Sequence, residues 1–288
     1  MAATGIDGVR VGHHTDAAAR TGCTVVRFPE GTVASGEVRG GAPATREFAL
    51  LDPQRRVDRL DAVVMSGGSA FGLAAADGVM DVLADEGVGF PTTAGPVPIV
   101  VGMSIYDLGV GDGSVRPTAA DGRAAAIAAA GEFAVGPVGA GTGATVGNWV
   151  GPDQATPGGI GWASVRHGDV TVGALLAVNA LGGALRAEDP LVRGVDAVGR
   201  WAEVAPGENT TVGVIVTDAA VTKSDCYLLA QGGHDGLARS LHPAHTRHDG
   251  DALVAASVGA HQADIDHLRV LAAAVVEAAV TSITHESS

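Results

Sequence analysis

Lysine is almost missing from this chain: Lys223 is the only one among 288 residues. No Gly-Lys-Ser/Thr occurs, so a phosphate-cradling P-loop is excluded. Any chemistry that needs an amine side chain must use Lys223. Aromatic residues make up 3% of the chain, too few for the stacking platforms of RNA and single-strand binders. Basic charge is scarce as well: Lys+Arg 18 against Asp+Glu 32 leaves −14. Such a surface repels phosphate backbones and anionic lipid, so neither nucleic acid nor membrane is an expected partner. Two cysteines, Cys23 and Cys226, make no disulfide framework. The longest strongly apolar uncharged run, Val170–Leu185, has 16 residues and is broken by Asn179, Gly182 and Gly183, too short to span a bilayer. Met1–Asp16 has no basic stretch followed by an apolar run, so a soluble, cytoplasmic protein without a secretory signal is expected.

What the chain has in excess is glycine, 43 residues, without the three-residue period of collagen. With 46% hydrophobic and 17% charged residues, the core must be built from Ala, Val, Leu and close backbone approach at glycine. The length suits one large domain or two small ones, and no linker divides it. Strands are expected at Cys23–Phe28, Asp61–Met65, either side of the His167–Asp169 turn, Thr211–Val216 and Leu253–Ser257. Helical spacing marks Ala70–Glu86, Thr118–Glu132, Ser224–Leu241 and Asp264–Ile283. Strands and helices alternate without a strict βαβ rhythm, which favours a layered α/β or α+β fold over a barrel.

Four stretches carry candidate chemistry. Gly139-Ala-Gly-Thr-Gly-Ala144 fits a loose dinucleotide-binding pattern, but Gly147, Gly151 and Pro152 break the helix that should follow; close backbone packing explains it better. Ser66-Gly67-Gly68-Ser69 lies on a strand-turn-helix without the second glycine of a nucleophile elbow. Its backbone N–H groups either bind a carboxylate or oxyanion, or the serines cap a helix. His242, His245 and His248, followed by Asp249 and Asp251, are metal-ligand types, but Pro243 would disrupt a helix there, so equal spacing need not put the three on one face and a polar loop leading into the next strand explains them better. Asn209-Thr210-Thr211 follows a Pro206-Gly207 turn and opens a strand. A chain broken before Thr210 would give that residue a free α-amine, with a pKa of about 7.7–8.0, able to take the proton of its own hydroxyl.

The ordered set of motifs is more specific than any one of them. It comprises Val11-Gly-His-His-Thr-Asp16, Arg39-Gly-Gly-Ala-Pro-Ala-Thr-Arg-Glu47, Ser66-Gly-Gly-Ser-Ala-Phe-Gly-Leu73, Ile105-Tyr-Asp-Leu108, Gly139-Ala-Gly-Thr-Gly143, Gly158-Gly-Ile-Gly161, Val178-Asn179, Asn209-Thr-Thr211 and Asp249-Gly-Asp251. From Val11 to Gly259 the chain thereby resembles the self-cleaving L-aminopeptidase/D-esterase (DmpA-like) family, which includes β-peptidyl aminopeptidases and the nylon-oligomer hydrolase. The resemblance implies a four-layer αββα sandwich of the ornithine-acetyltransferase type. It implies one catalytic domain over 1–288, cut into an α-chain 1–209 and a β-chain 210–288 that stay together, and a homotetramer or larger oligomer of those units.

By the same resemblance Thr210 is the nucleophile, Asn179 the oxyanion donor, and Asp249 and Asp251 the acidic pair that contacts the nucleophile and its amine. At i and i+2 of an extended segment these two would face the same side. Tyr106, Asn148 and the Ser66, Gly67, Gly68, Ser69 loop are the implied substrate-binding residues. Asn148 stands where the nylon-hydrolase branch has a lysine, so it offers a hydrogen-bond donor without charge. The implied activity is hydrolysis of small peptides or amides, or of esters, through an acyl-enzyme and with no cofactor. Two alternatives are a metal-dependent hydrolase built on the His242/His245/His248/Asp249/Asp251 cluster and a catalytically silent small-molecule-binding protein of the same fold.

Overall fold

The computed structural model describes residues 1–185, 190–201 and 208–284; the Pro206-Gly207 turn lies outside them. Ten strands form two five-stranded sheets: β1 (Arg10–Asp16), β2 (Thr21–Arg27), β3 (Val33–Val38), β4 (Thr45–Arg46), β5 (Ala62–Ser66), β6 (Val100–Ser104), β7 (Gly159–His167), β8 (Val170–Asn179), β9 (Thr210–Ala219) and β10 (Ala252–His261). The first sheet runs β1-β2-β5-β6-β4 and the second β7-β8-β9-β10-β3. In each, one parallel pair, β5/β6 or β9/β10, lies among antiparallel neighbours.

The layers follow from side-chain alternation along these strands. Val212, Val214 and Val216 of β9 join Val63, Met65, Val101 and Met103 of the first sheet in the core between the sheets. Ile215 points the other way, into a cluster with Leu229 and Leu237 of α4 (Lys223–Ser240), which follows α3 (Pro190–Arg200), and Leu268, Val276 and Val280 of α5 (Ile265–Thr284). The outer face of the first sheet packs Val25, Val64 and Val100 against α1 (Ala75–Asp85) and α2 (Ala119–Ile127). The expected αββα sandwich is what the chain builds. Helix α5 is long and apolar enough to cross a membrane by length and composition, and here its apolar side covers the second sheet.

Glycine replaces aromatic bulk as a packing device. A Cβ on Gly78 would lie 1.8 Å from Ala119 O, and one on Gly122 1.9 Å from Ala75 O. Helices α1 and α2 therefore touch backbone to backbone. The Gly139–Gly143 stretch serves the same end: a Cβ on Gly141 would meet Ile160 N at 2.4 Å and one on Gly143 Arg20 O at 2.2 Å.

Two helical expectations are corrected. Ala70–Glu86 is not continuous: a turn at Ser69–Gly72 precedes α1, because Ala74 and Ala76 donate to carbonyls three residues back, Phe71 and Leu73, tightening the chain. Thr118–Glu132 stops helical structure at Ile127, because Ala130 exchanges two hydrogen bonds with Val11 at the edge of β1 and Glu132–Phe133 pairs with Ala2–Ala3. The single lysine is a staple: its ammonium donates to the carbonyls of Leu50, Arg55 and Val57 at 2.9, 3.0 and 2.7 Å.

Candidate active site

Register alone gathers the key residues. In the β8/β9 ladder Asn179 stands opposite Thr210. Just before β10, Asp249 bridges Asn209 in parallel. Thr210 is 3% exposed, and its hydroxyl donates a hydrogen bond to the carbonyl oxygen of Asn209. The same carbonyl accepts the Gly250 N–H at 2.9 Å. A hydroxyl and a carbonyl that accepts a backbone donor are thus adjacent in a buried setting.

The Asn209 side chain is held too. Asn148 Nδ2 donates to Asn209 Oδ1 at 2.9 Å and to Thr145 Oγ1 at 3.1 Å. Asn148 opens a short 3₁₀ turn after Gly147, whose φ of 86° is the left-handed conformation glycine favours. Asn179 is fully buried. Its Oδ1 accepts Thr145 N–H at 2.9 Å and its Nδ2 donates to Tyr106 O at 3.0 Å. One of the two Nδ2 hydrogens is committed there. What ties Tyr106 to Asn179 is its backbone carbonyl.

The two carboxylates are buried and differently served. Asp249 accepts Leu181 N–H at 3.1 Å and Thr246 N–H and Oγ1–H at 3.1 and 2.6 Å. Burial, with the negative charge of Asp251 added, raises its pKa to about 6. Asp251 accepts Thr211 N–H at 2.8 Å on one oxygen and His245 N–H at 3.2 Å on the other, with His245 Nδ1 2.8 Å away. Among the described residues neither carboxylate bonds to the Thr210 hydroxyl; Asp251 reaches the next backbone amide instead.

The Ser66–Ser69 loop departs from the anion-binding expectation. Its amides are consumed within the fold: Gly67 N–H by Gly22 O at 2.9 Å, Gly68 N–H by Asp107 Oδ1 at 2.6 Å, Ser69 N–H by Ile105 O at 2.9 Å. Buried Asp107, its pKa raised by that burial, supplies the carboxylate itself and also takes the Thr21 hydroxyl at 2.7 Å. Ser66 bonds to Ser104 Oγ at 2.7 Å. Nor are the three histidines gathered. His245 turns to Asp251, the His248 ring lies beside Trp201 with centroids 6.4 Å apart, and His242 borders a cavity of about 290 Å³ with Arg193 and Trp149. Among the described residues no group of three or more His, Cys, Asp or Glu is placed to hold a metal ion. Sequence reasoning missed the Gly250 N–H, whose only signal was a glycine between two acidic residues, and the His245–Asp251 pair.

Residues 2–287 match the model of peptidase family S58. An uncharacterized aminopeptidase of Mycobacterium tuberculosis is 43% identical over 286 residues, covering 89% of this chain and 81% of its own. The 6-aminohexanoate-oligomer endohydrolase of Paenarthrobacter ureafaciens is 31% identical over 255 residues, 82% of this chain and 68% of its own. A solved β-aminopeptidase from Burkholderia sp. superposes with a TM-score of 0.73 at 26% identity, covering 96% of this chain and 84% of that one.

Proposed function

The chain belongs to peptidase family S58 and is a hydrolase, and we propose that it matures by cutting itself between Asn209 and Thr210 and then uses Thr210 as an N-terminal nucleophile. In maturation the Thr210 oxygen bonds to the Asn209 carbonyl carbon. The C–N bond breaks, the hydroxyl proton passes to the departing nitrogen, and water opens the resulting ester to free the Asn209 carboxylate. In turnover the same oxygen bonds to the carbonyl carbon of a small amide or ester, the new α-amine takes its proton and passes it to the departing amine or alcohol, and the C–N or C–O bond breaks. Water then hydrolyses the acyl-enzyme. The Gly250 N–H and the spare hydrogen of Asn179 stabilise the oxyanion, and the buried carboxylates set the charge around the amine.

The observation that carries this reading is the buried Thr210 hydroxyl on the Asn209 carbonyl, with the Gly250 N–H on the same oxygen. Short peptides and amides are the proposed substrates. The relatives named above are an aminopeptidase and a 6-aminohexanoate-oligomer endohydrolase, and both kinds of enzyme cut amide bonds. Thr210→Ala leaves the chain whole and inactive, whereas Thr210→Ser, which keeps an attacking oxygen, retains both reactions. A Thr210→Ala chain that still cuts itself or turns over substrate refutes the proposal.

A further inference from the structure

His245 is wired into the site in a way the chemistry above leaves unused. Its Nδ1 lies 2.8 Å from Asp251 Oδ2 and its Nε2 3.2 Å from His234 O. A backbone carbonyl can only accept, and so can an ionised carboxylate. A neutral imidazole has one N–H and one lone pair, so either tautomer would aim a lone pair at an oxygen. The imidazolium satisfies both contacts. Placing the proton on Asp251 instead is disfavoured, because its two oxygens already take the backbone N–H groups of Thr211 and His245, donors that favour the anion.

Among the described residues Asp249 has no such partner. Its three donors, Leu181 N–H, Thr246 N–H and Thr246 Oγ1–H, are all neutral, and it stands two residues from the Asp251 charge. Building on the Thr210 reading, we propose that His245 is a positioning residue that stays protonated as the ion-pair partner of Asp251. It holds Asp251 on the Thr211 amide and leaves Asp249, whose donors are all neutral, as the member of the pair that gains and loses a proton.

The surroundings agree. Burial alone would lower the His245 pKa, but its hydrogen bond to Asp251 and that group's charge outweigh burial and raise it. Asp249 is raised to about 6, mainly by burial. The other groups facing His245 are His234 of α4 and Arg39, which follows β3. Burial lowers His234 to about 4, so at neutral pH it presents an uncharged ring, edge-on with centroids 4.9 Å apart. Arg39 is engaged by Glu37 and Asp235. Two neighbouring carboxylates in such different surroundings, one beside an imidazole and one among neutral donors, divide the proton-transfer roles between them.

The direct test is nitrogen-15 NMR of the imidazole rings in the full-length wild-type protein, followed through a pH titration. Both His245 ring nitrogens should remain protonated above the ordinary value of 6.5, and Asp251→Asn should remove that protection. A single neutral tautomer of His245 at neutral pH in the wild type overturns the proposal. A second test uses His245→Asn, which keeps an N–H donor near Asp251 without the charge. Removing a cation raises the pKa of every neighbouring acid, so the acid limb of kcat/KM on a chromogenic amide should move up by about one pH unit or more. A uniform loss at every pH, with the limb unmoved, reduces His245 to structural support and also overturns it. The two readings fail separately: without the nucleophile role a Thr210→Ala chain stays active, and without this one that chain is inactive while His245 is neutral.

Discussion

Gly250→Ala places one methyl group against the proposed nucleophile. The added Cβ would lie 2.7 Å from Thr210 Oγ1, 2.8 Å from Ala42 O and 3.2 Å from Pro43 Cα. Real Cβ atoms do not tolerate the first two distances, and Ala42 O is backbone, so the hydroxyl and the 249–251 segment must move. Gly250 does not have a left-handed φ, so the alanine backbone itself is unstrained and the effect is one of space. Overpacking of this kind costs about 1–3 kcal/mol of stability, a fraction of the roughly 5–15 kcal/mol of a typical domain, so the variant should still fold. Displacing the N–H that sits 2.9 Å from the Asn209 carbonyl removes an oxyanion donor, worth a factor of about 10²–10³ in rate. Denaturing gels of freshly purified wild type and variant, sampled over time, would read self-cleavage, and thermal melting would report folding. A Gly250→Ala chain that folds and cleaves at the wild-type rate refutes the role of this amide.

Asn179→Ala should lower kcat by about 10²–10³ through loss of an oxyanion donor. It should also cost about 1–3 kcal/mol of stability, measured by urea unfolding, because Thr145 N–H and Tyr106 O lose their partner. Asp249, whose pKa is higher folded than unfolded, stabilises the fold at low pH, and that contribution disappears as pH rises through about 6. Unfolding free energies of Asp249→Asn and wild type measured across that range should therefore converge or cross in favour of the variant at higher pH; a difference independent of pH contradicts the raised pKa. Exhaustive chelation should leave hydrolysis of a chromogenic amide intact, since Thr210 chemistry needs no Lewis acid; loss of activity restored by zinc would contradict it.

Spacing of strands and helices made a layered α/β or α+β fold legible, and the four layers came only through the resemblance that the ordered motifs carry. Thr210, Asn179, Asp249 and Asn148 carried a recognisable pattern, and the fold brings them around one peptide bond. What stayed hidden depends on three dimensions. A backbone N–H has no letter of its own, so Gly250 as a donor and Gly67, Gly68 and Ser69 as spent donors could be seen only with their partners in place. Even spacing of His242, His245 and His248 left a metal cluster open as an alternative to a polar loop, and the three rings leave the loop toward Arg193, Asp251 and Trp201. The helix expected through Leu73 and Ala74 yielded to i−3 hydrogen bonds that no apolar period records.

The intact mass of the purified protein under denaturing conditions tests the central claim most directly. Cleavage between Asn209 and Thr210 predicts two species, residues 1–209 and 210–288, of about 21 and 8 kDa in proportion to the 28.5 kDa chain, the smaller beginning with Thr210 and gaining the acyl mass when trapped with an activated ester. A single full-length mass after prolonged incubation, with no adduct on Thr210, would contradict it.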